Sequence, residues 1–155
     1  MKLREIMSHP VVSVSATASV RHAAGVMDRF SYSFLPVIDR DRILGVITGR
    51  DLAARAMGRG LPMDTTLVSA IMSRPAICLN GDYQPEDALV LMRQHNIRRI
   101  LVTEGEKKLI GIVGLSDIAG RVNPDAIAEM LHRHAEQASH LTTASAATLP
   151  GLYLG

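Results

Sequence analysis

The stretch IMSHP at residues 6–10 returns as IMSRP at residues 71–75. Working outward, most of the sequence between the two copies also returns, at an offset of about 65 residues that becomes about 66 near Lys108. The matched pairs include Ala23 with Ala88, Met27 with Met92, Val37 with Val102, Gly45 with Gly111, Asp51 with Asp117 and Arg55 with Arg121. A self-similar sequence at a fixed period indicates a repeated structural unit. The chain therefore consists almost entirely of two copies of one unit.

The composition of the 155 residues is typical of a globular protein. Hydrophobic residues make up 47% of the chain and charged residues 21%. There is no apolar run of the length that spans a bilayer, and the first residues, MKLREIM, lack the apolar segment of a secretory signal. The single Cys78 is flanked by Ile77 and Leu79 and predicts a small buried side chain in a reducing compartment. We therefore expect a cytoplasmic protein with no membrane association.

The charge of the chain gives little support to a nucleic-acid partner. The formal net charge is only +2, and the chain contains no Trp, two Phe and three Tyr. Aromatic side chains are the usual platforms on which single-stranded bases stack. We therefore do not predict nucleic-acid binding.

Each copy predicts the same order of elements: helix, strand, helix, strand, strand, helix. In the first copy these are expected at residues 3–7, 11–14, 20–30, 34–38 and 43–48 and from 51 onward; in the second, at 67–72, 76–79, from 85, at 100–103 and 109–113 and from 117. Ser19 is placed to cap one long helix, and Pro85 lies in the first turn of the other. Neither half is expected to bury its sheet alone. The pattern predicts an α/β (α+β) fold in which two halves share a core.

The predicted boundaries are residues 1–60 for the first unit, 61–122 for the second, 123–140 for a C-terminal helix and 141–155 for a flexible tail. The repeat stops at about Asn123, and the tail is rich in small and polar residues. His132, His134 and His140 lie in this region. Positions two apart do not share a helix face, so no metal site is predicted.

The segment from Thr48 to Asp51 joins a predicted strand to a predicted helix and permits two interpretations. Thr-x-x-Asp at a helix start resembles a capping box, which satisfies free backbone donors. The same geometry offers an anion free N–H groups and a hydroxyl, and a carboxylate can accept hydrogen bonds from both hydroxyls of a ribose. The four residues alone leave both interpretations open.

The two copies resemble the CBS domain, named after cystathionine β-synthase, in the tandem arrangement known as a Bateman module. The resemblance covers roughly residues 3–122. The motifs that carry it are IMSHPVVSVS (6–15), FLPVID (34–39), GVITGRDL (45–52), IMSRPAICL (71–79), HNIRRILV (95–102) and GIVGLSDI (111–118). It implies two units packed sheet against sheet about a pseudo-twofold axis, with flanking helices. It also implies two clefts between the units for adenosyl compounds such as AMP, ADP, ATP or S-adenosylmethionine.

The resemblance implies a primary cleft formed by both units. Its residues are Thr48, Arg50 and Asp51 from the first unit and Ile77, Ile97, Arg98 and Arg99 from the second. Asp51 would hold the ribose, and Ile77 with Ile97 would contact the adenine. Thr48 and Arg98 would reach phosphate, since guanidinium groups suit oxyanions. The alternative for the arginine pair is a solvated strand edge.

The resemblance also implies a second, weaker cleft. Its residues are Val12, Tyr32, Ser33, Ser116 and Asp117. Gly114 stands where the family has Ser or Thr, and Ser33-Phe34 supplies no cation where the first cleft has Arg98-Arg99. We rank this cleft second and expect it to be empty or to prefer an uncharged adenosyl group.

No set of catalytic residues can be assembled from the remaining sequence. It shows no nucleophile elbow, no phosphate-binding loop and no metal-spaced ligand set. We predict a non-enzymatic regulatory module without an obligatory cofactor or metal, which senses an adenosyl ligand, forms a homodimer of modules and relays the signal to an unidentified effector protein. The alternative is a structural or interaction module that binds no ligand and dimerises or docks a partner.

Overall fold

Two three-stranded sheets form the centre of the fold, as the repeat predicts. The computed structural model describes the backbone of residues 1–105 and 107–146 and the side chains of 1–105 and 107–136. The first sheet contains β1 (Val14–Ser15), β2 (Phe34–Asp39) and β3 (Arg42–Thr48), and the second contains β4 (Cys78–Asn80), β5 (Arg99–Glu104) and β6 (Lys108–Gly114). In each sheet the first pair of strands is parallel and the second pair antiparallel. A register shift follows Val37 in one sheet and its repeat partner Val102 in the other.

The first strand of each sheet is shorter and begins later than the sequence predicts. Only Val14 and Ser15 pair with β2, although β-branched residues begin at Val11. Residues 11–13 are not part of a strand, and two of them, Val11 and Val12, line an open cleft instead. Strand propensity therefore predicted the presence of each first strand but not its bounds.

Helices flank both sheets. They are α1 (Val20–Phe30), α2 (Val68–Ile71), α3 (Pro85–His95), α4 (Leu115–Ile118) and α5 (Pro124–Ala146), together with a 3₁₀ turn at Leu3–Glu5 and a π-helical segment at Asp51–Met57. The Ser19 hydroxyl accepts a hydrogen bond from the His22 N–H at 3.1 Å, which confirms the predicted cap. Within the described residues, no helix combines the length and apolarity needed to cross a membrane.

The C-terminal helix is longer than predicted. α5 continues beyond residue 140 to Ala146, so part of the predicted flexible tail is helical. Residues 147–155 of that tail lie outside the described residues. Good helix formers such as Ala and Leu in 141–146 extend the pattern, although the composition of this segment had suggested a frayed end.

The opening segment of each repeat packs in the core of the other repeat. Leu3 is fully buried among core residues of the second sheet, and its repeat partner Val68 is fully buried among those of the first. The backbone of Ser8 pairs with Ile112, with N···O distances of 2.8 and 3.1 Å. Ser73 pairs in the same way with Val46. Each hydrophobic core is therefore formed by most of one sequence repeat together with the opening segment of the other.

Two glycines at equivalent positions allow this exchange. A Cβ atom at Gly45 would lie 2.5 Å from the Ser73 carbonyl oxygen, and one at Gly111 would lie 2.6 Å from Cγ of Met7. Real Cβ atoms do not approach other atoms so closely, so a side chain at either position would push the exchanged segment off the strand. The repeated glycine is thus explained by close backbone packing.

Candidate functional site

Two clefts lie between the repeats, and each is lined by residues from both. Each has a volume of about 250 Å³. Cleft A is lined by Phe34, Val46, Thr48, Ser73, Arg74, Pro75, Ile77, Ile97, Arg98 and Arg99. Cleft B is lined by Ser8, Pro10, Val11, Val12, Tyr32, Phe34, Arg99, Ile112, Gly114, Ser116 and Asp117.

Most of the residues predicted for the primary cleft do meet in cleft A. Thr48 of the first unit lies with Ile77, Ile97, Arg98 and Arg99 of the second. Two predicted residues are not in its lining. The Arg50 side chain is exposed at the start of the π-helical segment, and Asp51 is buried behind the cleft wall.

The Asp51 carboxylate is surrounded by donors from the protein. Its side chain accepts hydrogen bonds from the Thr48 N–H at 2.9 Å and the Thr48 hydroxyl at 3.0 Å, while Thr48 Oγ1 accepts from the Asp51 N–H at 3.2 Å. This reciprocal pattern is that of a capping box. The Ser73 hydroxyl donates to the other carboxylate oxygen, Oδ1, at 3.0 Å. The capping interpretation therefore describes this structure, and only 4% of Asp51 remains exposed.

Arg55 completes this arrangement. One of its guanidinium nitrogens, Nη1, lies 3.5 Å from Oδ1 of Asp51 and donates to the carbonyl oxygens of Ile71 and Met72, each at 3.1 Å. The Asp51 network, defined here as Thr48, Asp51, Arg55 and Ser73, thus connects the end of β3 to the exchanged segment of the second repeat.

The equivalent carboxylate in the second repeat is far less engaged. Oδ2 of Asp117 accepts one hydrogen bond, from the Gly114 N–H at 2.7 Å, and Gly114 has no hydroxyl to add a second. Arg121, the repeat partner of Arg55, donates to the Asp117 backbone carbonyl instead, at 2.6 Å. Within the described residues Asp117 Oδ1 has no hydrogen-bond partner, although the side chain lines cleft B. Asp117 is therefore the more available acceptor of the two.

Arg99 lies between the two clefts. Its guanidinium carbon is 5.8 Å from the centre of the Phe34 ring, and it lines both cleft A and cleft B. Ser33-Phe34 supplies no cation to cleft B, but Arg99 of the second repeat lines this cleft as well. Arg99 is the first residue of β5, which begins between the clefts, so its side chain reaches both of them. The residue sets inferred from the sequence place each residue in one cleft only and therefore do not predict this shared role.

The other residues predicted for the second cleft are divided between two cavities. Val12, Tyr32 and Ser116 line cleft B with Asp117, whereas Ser33 lies in a neighbouring cavity. Tyr32 is 47% exposed, and its ring stacks on that of Phe30 with ring centres 6.0 Å apart. An exposed aromatic face is therefore present beside cleft B.

Sequence reasoning missed Ser73, Arg55 and Phe34. The signal for Ser73 was present, because the serine recurs in both copies of the opening motif. Its contact partner could not be read from the motif, since Ser73 meets Asp51 across 22 residues of chain.

Other potentially reactive groups are not assembled into a site in the described part of the chain. No three His, Cys, Asp or Glu side chains there are grouped to hold a metal ion. Burial raises the pKa of the Cys78 thiol, which disfavours the thiolate.

The fold and its two inter-repeat clefts define a paired-repeat module. The CBS domain model matches residues 3–58 and 68–123, and the chain belongs to the CBS domain family. Among its relatives, the CBS domain-containing protein YhcV of Bacillus subtilis is 33% identical over 117 residues, which are 76% of this chain and 82% of that protein. The inosine-5'-monophosphate dehydrogenase of Methanocaldococcus jannaschii is 35% identical over 121 residues, 77% of this chain but only 23% of the dehydrogenase.

A solved structure has the same fold. The CBS domain pair of protein MJ0100, in complex with 5'-methylthioadenosine and S-adenosyl-L-methionine, superposes with a TM-score of 0.69 at 24% identity. The alignment covers 78% of this chain and 94% of that one. The likeness confirms the predicted α+β fold of two CBS units.

Proposed function

We propose that the protein is a regulatory module that binds an adenosyl compound between its repeats and relays binding to a partner protein. The observation that carries the proposal is the composite lining of clefts A and B, in which each repeat contributes part of each wall. A ligand held by both repeats stabilises one relative arrangement of them. A partner that prefers this arrangement then binds more tightly, and the coupling is reciprocal.

Cleft B is the better candidate for recognition of the ribose, which reverses the order expected from the sequence. Asp117 presents a carboxylate oxygen that two ribose hydroxyls could share. Val12 and the exposed face of Tyr32 offer an apolar surface for the adenine, and Arg99 offers a positive charge. The adenosyl ligands of MJ0100 support this ligand class as the first one to test, although the likeness to that protein is one of fold.

Cleft A has the features of a phosphate-accepting site. Arg98, Arg99 and the Thr48 hydroxyl line it, and Ile77 with Ile97 supplies an apolar wall. A ribose that sought Asp51 would have to compete with the protein donors that already occupy it. We therefore assign cleft A weaker ribose binding than cleft B.

The Asp117→Asn variant tests the proposal. We expect calorimetric affinity for adenosine, AMP, ATP or S-adenosylmethionine to fall about ten-fold, because a carboxylate that accepts two hydroxyl donors becomes an amide that repels one of them. Asp28→Asn is the matched control, as Asp28 is exposed and outside both clefts. Equal affinity in Asp117→Asn would contradict the assignment. Absence of binding by every adenosyl compound would favour the alternative, a module that only docks or dimerises.

The Ser73→Ala variant tests whether the Asp51 network limits cleft A. Removal of the Ser73 hydroxyl leaves its backbone pairing with Val46 intact and frees one face of Asp51. We expect adenosine affinity of cleft A to rise about five-fold, the value of one net hydrogen bond. The measurement is calorimetry in the Asp117→Asn background, with Ser13→Ala, at an exposed serine outside both clefts, as the control. Weaker binding in Ser73→Ala would show that Ser73 contacts the ligand itself.

Three further features belong to the same proposal. We propose that the module has no catalytic activity, works in the cytoplasm and forms a symmetric homodimer. Exposed apolar side chains such as Val90 offer surface for such an interface.

A further inference from the structure

A third cavity lies beside cleft B, against the C-terminal helix. Its volume is about 410 Å³. Its polar wall carries Arg98, Arg99, Ser33 and Ser116, and its apolar wall includes Ile127 and Leu131 of α5. This helix begins at Pro124, after the residues matched to the family. The cavity, here called the α5 pocket, is therefore completed by a part of the chain that the CBS repeat does not include.

The charged wall of the α5 pocket is uncompensated. Within the described residues neither Arg98 nor Arg99 forms an ion pair, and no carboxylate lines the pocket. The Ser33 and Ser116 hydroxyls add donors beside the two guanidinium groups. Guanidinium forks and hydroxyls together match the oxygens of a phosphate group. We infer that the α5 pocket binds a phosphate-type oxyanion.

The α5 pocket shares part of its lining with cleft B. Both are lined by Arg99, Gly114 and Ser116. A nucleoside bound through Asp117 would therefore direct its 5' substituent toward the two arginines, so this inference deepens the proposed function and rests on it. The same side chains would also accept a free inorganic anion. A comparison of ATP with tripolyphosphate distinguishes the phosphate tail of a nucleotide from a free anion.

The apolar wall is held in place from its other side. Met130 of α5 is 1% exposed in the core of the second repeat, and Glu129 forms an ion pair with Arg93 of α3 at 3.2 Å. Leu131 remains 47% exposed and lines the pocket. A bound anion beside this wall would be partly shielded from water, which strengthens its interaction with the guanidinium charges. The inference thus makes α5 a direct contact of the ligand.

The Leu131→Trp variant reports on the pocket directly. The chain contains no tryptophan, so the new indole is the only one, and its exposed position should tolerate the larger ring. We expect its fluorescence to change when ATP is added, and to change little with adenosine, which has no phosphate. Met57→Trp, at an exposed position outside the pocket, is the matched control and should not respond. A response to tripolyphosphate alone identifies a site for free anions; a response to ATP but not to tripolyphosphate identifies a site for the tail of the nucleotide.

The Leu131→Glu variant supplies an independent measurement. A carboxylate in the same pocket as the arginines should lower calorimetric ATP affinity about five-fold more than it lowers adenosine affinity. Met57→Glu should leave the ratio of the two affinities unchanged. The inference is overturned if neither ATP nor tripolyphosphate alters the fluorescence of Leu131→Trp, or if adenosine alters it as much as ATP does. If the Leu131→Trp variant binds adenosine normally but its fluorescence stays constant with ATP and tripolyphosphate, only the inference about the α5 pocket is overturned. Failure of all adenosyl compounds to bind cleft B would overturn the proposed function, while a tripolyphosphate response would still support the pocket.

Discussion

The Asp51→Ala variant is expected to unfold with a free energy about 3 kcal/mol lower than that of the native protein. The substitution removes a buried carboxylate that accepts hydrogen bonds from Thr48 and Ser73 and pairs with Arg55. Donors left without a partner in a buried site cost more than the net value of the bonds that are lost. Loss of the cap also weakens the start of the π-helical segment. Equilibrium denaturation in urea measures this difference.

The control for this prediction is the same substitution in the second repeat. Asp117→Ala removes one hydrogen bond, to the Gly114 N–H, from a half-buried side chain, and is expected to cost only about 1 kcal/mol. Equal losses in the two variants would show that the two carboxylates are equally engaged, against the geometry described above. Because Asp51→Ala is expected to lose much more stability than Asp117→Ala, weaker ligand binding by Asp51→Ala could result from unfolding alone. Substitutions at Asp117 are therefore the better test of binding.

The Leu3→Ala variant is expected to lower the free energy of unfolding by about 3 kcal/mol, although Leu3 lies close to the start of the sequence. Chain ends normally tolerate substitution. Leu3 is instead fully buried in the core of the second repeat, and its truncation leaves a cavity there. Thermal or urea denaturation of the purified variant measures the effect.

Leu67→Ala is the matched control for Leu3→Ala. Leu67 lies just before the equivalent short helix, but 43% of it is exposed, so its truncation is expected to cost less than about 1 kcal/mol. A Leu3→Ala variant as stable as the native protein would contradict the exchange of opening segments between the repeats.

The repeat could be predicted from the sequence because it depends on local and periodic features. Apolar residues at helical spacing place α1, and Ser19 and Pro85 mark the starts of two helices. The recurrence of Gly45 as Gly111 supports the repeat, although the close contact that requires each glycine could be seen only in the structure. Membership of the CBS family is confirmed, and the motifs that carry it also indicated which faces would line a cleft.

The engagement of each carboxylate could not be predicted in the same way. Thr48-x-x-Asp51 permitted both a cap and a ligand site, and the choice depended on Ser73 and Arg55. The second repeat keeps its aspartate but has Gly114 in place of the threonine. Gly114 leaves Oδ2 of Asp117 with a backbone donor only. Among the described residues Oδ1 is free because Arg121 donates to the Asp117 carbonyl and no serine takes the place that Ser73 has beside Asp51.

The amino-acid sequence by itself determined that this protein has two copies of one α+β unit and the order of the elements within each. Only the tertiary structure decided which unit each opening segment packs in, that Arg99 lies between both clefts, and that α5 closes a third cavity. The physical reason is that periodicity and caps act through neighbours along the chain. A hydrogen bond, an ion pair or a cavity wall depends instead on distances through space between residues far apart in sequence.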